Sequence, residues 1–142
     1  KKYIPHVIEP TFGVERTVLA MLLSAYREEE VKGSTRVVLS LPVWAAPFQV
    51  AVLPLSKKPE LFEKAKALAE ELAGPFRCDF DFTQSIGKRY RRQDEIGTPL
   101  CITYDFDSLE DKQVTVRHRD SMEQERVSLD GIEGYLENKL SI

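Results

Sequence analysis

A chain of 142 residues is long enough for one domain, with room for a piece of another. It is 42% hydrophobic and 30% charged, enough to bury a core. No apolar run comes near the roughly 18 residues a membrane-spanning helix needs, and no signal-peptide pattern is visible in these residues. A formal net charge of -3 excludes a generally basic nucleic-acid binder, so any contact with RNA or DNA has to come from a local patch.

Residues 3–9 form a short apolar run ending on Glu9, and Pro5 places it at a strand start or edge. After the turn Pro10-Thr11-Phe12-Gly13, the apolar residues Val14, Val18, Leu22, Ala25 and Tyr26 recur at helical spacing and predict a helix over 14–26. A strand delivering Glu9 to a glycine turn, with a helix starting near Arg16, suits an anion site, but Glu9 or Arg16 alone reads first as part of an ordinary strand–turn–helix. Residues 28–34 are polar, carry Gly33 and predict a loop, whereas the β-branched residues 36–41 predict a strand. Prolines bound 42–47, which reads as a linker with Trp44 as a packing anchor. The unbroken apolar run at 48–55 predicts a strand buried on both faces. Leu61, Phe62, Ala65, Leu68, Ala69 and Leu72 then mark an amphipathic helix over 60–72, stopped by Gly74-Pro75. Strands are expected at 76–82, 100–106, 113–119 and 123–129, an acidic turn at 107–111, and a closing helix at 129–140 capped by Asp130. This alternation favours a mixed, largely parallel sheet with helices on its faces.

Between two of those strands lies the basic segment 85–99, in which Lys88, Arg89, Arg91 and Arg92 surround Tyr90. If 87–96 is helical, Lys88, Arg91, Arg92 and Glu95 share one face and Arg91 can pair with Glu95. The segment is then either a solvated charged helix with internal salt bridges or a polyanion contact. In the second case guanidinium groups suit phosphates and the tyrosine offers a face to an unstacked base. His6 and His118 stand alone without metal-ligand spacing, and both read as structural or surface residues. Cys78 and Cys101 lack a Cys-x-x-Cys partner and read as reduced, buried thiols of a cytosolic protein. No phosphate-binding glycine loop or nucleophile elbow occurs, and no nucleophile–base set stands out from residue 48 onward.

Residues 6–16, His-Val-Ile-Glu-Pro-Thr-Phe-Gly-Val-Glu-Arg, resemble the third signature motif of class II aminoacyl-tRNA synthetases. The Glu-Pro-Thr version resembles that of the dimeric glycyl-tRNA synthetases. Ala46-Pro47 with residues 50–55, Ser-Ile-Gly-Lys-Arg-Tyr at 85–90 and Asp-Glu-Ile-Gly-Thr-Pro at 94–99 are similar to that family's anticodon-binding domain. So are residues 103–107, 114–117 and 119–124, and the resemblance covers essentially the whole chain.

The resemblance implies the end of a catalytic domain at 1–41, a linker at 42–47 and an anticodon-binding domain at 48–142. The last would be an α/β fold with a mixed sheet of about five strands flanked by helices. Glu9 would take the ammonium group of glycine, with Thr11 and Gly13 lining a pocket too tight for a methyl group. Gly13, Glu15 and Arg16 would lie against ATP. Thr11 stands where serine is usual, and Glu15 where aspartate is common. Lys88 would contact phosphate, Arg89, Arg92, Arg117 and Arg119 would hold anticodon bases, and Asp120 would accept from a base edge. His118, between two of those arginines, replaces a frequent aspartate. The implied parent is a cytoplasmic homodimer that joins glycine to tRNA-Gly through glycyl-adenylate, using ATP with Mg2+ and no membrane. Residues 48–142 would bind no cofactor. The first two signature motifs are missing, so the chain alone is expected to make no adenylate. The rival readings are a non-catalytic nucleic-acid-binding module, such as a synthetase-like polymerase accessory subunit, and an interaction domain whose basic stretch is only a solvated face. An unpartnered helix at 14–26 would expose an apolar patch.

Overall fold

The computed structural model describes residues 2–140. In chain order its elements are α1 (Val14–Ala25), β1 (Tyr26–Val31), β2 (Ser34–Leu39), β3 (Val50–Pro54), α2 (Pro59–Leu72), β4 (Cys78–Phe80) and α3 (Ile86–Ile96). They continue with β5 (Leu100–Tyr104), the single-turn α4 (Asp107–Asp111), β6 (Gln113–His118), β7 (Gln124–Ser128) and α5 (Ile132–Leu140).

The apolar run of β3 is buried at every position because it pairs on both sides, in parallel with β4 and with β5. The sheet continues antiparallel through β6 and β7, giving the order β4-β3-β5-β6-β7. It is therefore mixed in equal measure rather than largely parallel. The connections after β5 and β6 are too short for the crossover that parallel pairing needs. Alternation along the strands divides the two faces. Val50, Val52, Leu100, Ile102, Val114 and Val116 pack against α2 and α5 through Leu61, Leu68, Leu72, Ile132 and Leu136. Pro59 sits in the first turn of α2, where its missing N–H costs nothing. Leu61 and Leu72 are fully buried, each worth roughly 2 kcal/mol. The opposite face is lined by the smaller Ala51, Leu53 and Cys101, and α3 covers it with Ile86 and Tyr90.

The first third of the chain departs furthest from the pattern of its residues. No strand forms at 3–9, where every described residue is exposed. A strand needs a neighbour to accept its ladder, none of the described residues supplies one, and Pro5 and Pro10 remove two donors. The α1 stripe forms, but only Ala25 is buried; Val14, Val18, Leu19, Leu22 and Leu23 face outward as an apolar patch. The loop expected at 28–34 is instead the β1–β2 hairpin. Its two-residue turn has φ 51° at Lys32 and 76° at Gly33, the paired positive angles that tight hairpins require. The polar strand is held by cross-strand partners, Glu29 opposite Arg36 and Glu30 opposite Thr35.

Smaller corrections have local causes. Trp44 is 73% exposed and anchors nothing. The 42–47 segment is instead fastened by Arg77, which donates to the carbonyls of Val43 (3.1 Å) and Ala46 (3.1 Å). The acidic turn at 107–111 winds into one helical turn. Asp130 lies inside a 3-10 turn, Leu129–Gly131, and caps nothing. Both cysteines are free, Cys101 buried and Cys78 partly so. No helix among the described residues is long and apolar enough to cross a membrane.

Candidate nucleic-acid interface

Helix α3 sorts the basic segment into two faces. Its helical phase places Lys88, Arg91, Arg92 and Glu95 outward, where with Gln84, Ser85 and Gly87 they line an open groove. Its inner face carries Arg89, Tyr90, Gln93 and Asp94 against the sheet. Gly97 ends the helix in the left-handed conformation, φ 92°, with its N–H on the Gln93 carbonyl at 3.0 Å.

Three of the arginines singled out as base contacts lie on the inside. Arg89 is 3% exposed and donates to the Pro54 carbonyl (2.6 Å) and the Asp81 carbonyl (3.2 Å). Arg117 forks onto the Asp94 carboxylate at 2.9 and 3.1 Å and stacks 4.8 Å from the Tyr90 ring centre. Arg119 donates to the Leu41 and Gly97 carbonyls at 3.0 and 2.8 Å and grips Asp120. Asp120 remains exposed but also accepts from Arg27 and Ser40, each at 2.8 Å. Buried guanidinium groups need such partners, because an unpaired charge away from water is expensive. The expected Arg91–Glu95 pair does not form; Asp94 is the partnered carboxylate.

Lys88 and Arg92 keep an outward position, and Arg91 lines the same groove half-buried, with its Nη1 covered and unpartnered among the described residues. Arg92 also bonds the Asp81 carboxylate and, at 2.8 Å, the Thr83 hydroxyl. Burial pushes the Asp81 carboxyl up, but the Thr83 N–H and hydroxyl and the Arg92 charge outweigh it and hold it below the ordinary value.

A second cluster, at the carboxyl ends of β3, β4 and β5, is one that periodicity did not signal. Lys57 lies 5.8 Å from the Phe82 ring centre and Lys58 4.9 Å from that of Phe106. Phe82 and Phe106 are 38% and 39% exposed, and Phe62 braces Phe82 edge-on at 5.1 Å. Strands β3 and β4 are followed by α2 and α3 on opposite faces of the sheet, so this edge is a topological switch point where open α/β sheets hold ligands. The available signals were the Lys57-Lys58 pair just past β3 and the Asp-Phe pairs, Asp81-Phe82 and Asp105-Phe106, just past β4 and β5. Asp81 and Thr83 join this edge to the α3 groove through Arg92.

The residues assigned to glycine and ATP lie apart. Glu9, Thr11 and Gly13 precede α1, Glu15 and Arg16 occupy its first turn, and all are exposed. A carboxylate for an ammonium group and a guanidinium for adenine or phosphate have the right chemistry. The described residues do not enclose them in a pocket, nor do three or more His, Cys, Asp or Glu side chains among them gather as metal ligands.

The sequence profile of the family described as "Anticodon binding domain" matches residues 49–139. Proteins named glycine–tRNA ligase are similar to the chain over nearly all its length: 56% identical over 141 residues in Clostridium beijerinckii and 58% over 140 in Lysinibacillus sphaericus. That of Staphylococcus haemolyticus is 56% identical over 143 residues. The chain covers 99%, 98% and 99% of itself in the first, second and third of these matches, and spans 30% of the length of each relative.

Proposed function

The chain belongs to the anticodon-binding domain family, and from that premise we propose that it reads tRNA-Gly as the RNA-binding portion of a glycine–tRNA ligase. The observation that carries this reading is the continuous surface from the α3 groove to the switch-point edge. Lys88, Arg91 and Arg92 supply cations for phosphate, and Phe82 and Phe106 offer ring faces with Lys57 and Lys58 beside them. Stacking of an unstacked base on such a ring is worth about 1–3 kcal/mol. Within this reading Lys88 and Arg92 touch RNA. Arg89, Arg117, Arg119 and Asp120 set the position of the elements that do.

Glycine and ATP with Mg2+ are proposed as substrates of the longer protein, a cytoplasmic homodimer. Glu9, Thr11 and Gly13 would hold glycine, and Gly13, Glu15 and Arg16 would hold ATP. Glu9 provides a negative charge for an ammonium group, and Arg16 a planar cation for adenine or phosphate. With the first two signature motifs missing from its sequence, the 142-residue chain alone is proposed to make no glycyl-adenylate. Glycine-dependent pyrophosphate exchange by the pure chain would overturn that.

Binding to a tRNA-Gly anticodon stem-loop, and to the same loop with altered anticodon bases, tests the RNA reading at two salt concentrations. Preference for the glycine anticodon, lost in Phe106→Ala and weakened with a shallower salt slope in Lys88→Glu, is the expected result. Equal, salt-sensitive binding to every loop would leave a surface that holds RNA without reading it.

A further inference from the structure

Three segments far apart in sequence converge on one carboxylate. Asp94, on the inner face of α3, accepts from Arg36 Nε of β2 at 2.8 Å through Oδ2, and from both Nη atoms of Arg117 of β6 at 2.9 and 3.1 Å. Arg36 is fully buried. Its other two nitrogens donate to Glu29 at 2.7 Å and to the Arg119 carbonyl. Around this centre, Arg119 ties Leu41 to Gly97, and Asp120 receives Arg27 and Ser40 from the hairpin and the residue following it. The fit is close. A Cβ on Gly97 would stand 2.9 Å from the Leu39 carbonyl oxygen. Arg36 and Arg117 share the Asp94 charge, so that carboxylate is the buried centre of the contact between the hairpin and α3, with Arg119 and Asp120 at its rim.

We propose that Asp94 is a positioning residue that locks the β1–β2 hairpin to α3, making residues 26–41 part of the RNA-binding body and coupling hairpin order to RNA binding. The coupling rests on the reading that the outer face of α3 holds RNA. Asp94 itself faces away from that groove, so it acts through the helix. The division between bodies then lies ahead of the hairpin rather than at 42–47. Because β1 begins at Tyr26, directly after α1 ends at Ala25, a displacement of α3 is carried by the hairpin to the foot of α1 without an intervening linker. Coupling is reciprocal: if hairpin order favours RNA binding, RNA favours hairpin order.

The test is amide hydrogen exchange of the whole chain with and without the tRNA-Gly anticodon stem-loop, together with stem-loop affinities of variants. RNA should slow exchange of the β1 and β2 amides. Asp94→Asn should lower affinity by about tenfold with an unchanged salt slope, since the phosphate-contacting cations remain. The exposed double variant Arg27→Ala/Ser40→Ala, which leaves the buried centre intact, should show a smaller loss and faster hairpin exchange. It serves if Asp94→Asn does not fold. Lys88→Glu separates the two claims. If it abolishes binding while RNA leaves hairpin exchange unchanged in the wild type, and the hairpin variants bind normally, the coupling is wrong and the RNA face stands. If Lys88→Glu and Arg91→Glu both bind as well as the wild type, the RNA face is wrong and the coupling falls with it.

Discussion

Arg89, Arg117 and Lys88 carry the same formal charge and do different work, because burial decides what a cation is for. The Asp94 carboxylate compensates two guanidinium groups that water does not reach, so Asp94→Asn should cost about 3–5 kcal/mol in urea unfolding. Lys88→Ala, on the outer face, should stay within about 0.5 kcal/mol of wild type. Equal effects would mean that the internal network is not what holds α3. Burial also acts on the thiols, pushing Cys78 and Cys101 up to about 12. Both should resist iodoacetamide at pH 8 until denaturant is added, and rapid labelling of the native chain would contradict their packing. Composition located the basic segment, and its helical phase put Lys88, Arg91 and Arg92 on one face. It did not show which arginines turn inward, since that depends on Asp94 meeting β2 and β6. Those contacts span 58 residues in one direction and 23 in the other. Lys57, Lys58, Phe82 and Phe106 escaped notice for a related reason: their proximity is a product of sheet order.

At the scale of the element, α1 is a well-patterned helix that buries only its last residue, Ala25, against Leu41 and Ala46 among the described residues. Leu19 and Leu23 are exposed on it beside Val14 and Val18, and contiguous apolar surface of this kind drives association. The chain should sediment as a concentration-dependent oligomer, and Leu19→Glu/Leu23→Glu should shift it toward monomer without lowering its melting temperature. A double variant that unfolds would show that α1 is packed in solution after all. The same helix marks where local pattern suffices and where it fails. Periodicity found α1, α2 and the buried β3 because each carries its signal within one run of sequence. It found β2 through the strand expected at 36–41 but missed its hairpin partner β1, because a strand reading Tyr-Arg-Glu-Glu-Glu-Val is stabilised by what lies opposite, Arg36 and Thr35, and not by its own alternation. It over-read residues 3–9 for the converse reason, since apolar residues alone do not supply a neighbouring strand.

Across the whole molecule, aspartates close the corners where elements meet, and their titration sets the acid limit of the fold. Asp81 joins the end of β4 to α3 through Arg92, Asp105 joins the end of β5 to β7 through Arg126, and Asp120 joins the turn after β6 to the hairpin. In each case burial pushes the carboxyl up, but hydrogen bonds and a guanidinium outweigh it, so the native value lies below the ordinary one. An aspartate in the unfolded chain titrates near about 3.9, so below that pH the unfolded state binds protons that the native state still refuses. The stabilisation is therefore complete above about pH 4 and is lost as pH falls through the depressed native values. Urea midpoints should be flat from pH 7 to pH 5 on this account and fall steeply between about pH 4 and pH 2. Arg126→Met, which removes the cation shared by Asp105 and Asp111, should lower the neutral-pH midpoint and flatten the acid slope. A midpoint that instead moved mainly between pH 5 and 8 would assign the control to histidine, the side chain whose charge ordinarily changes in that interval.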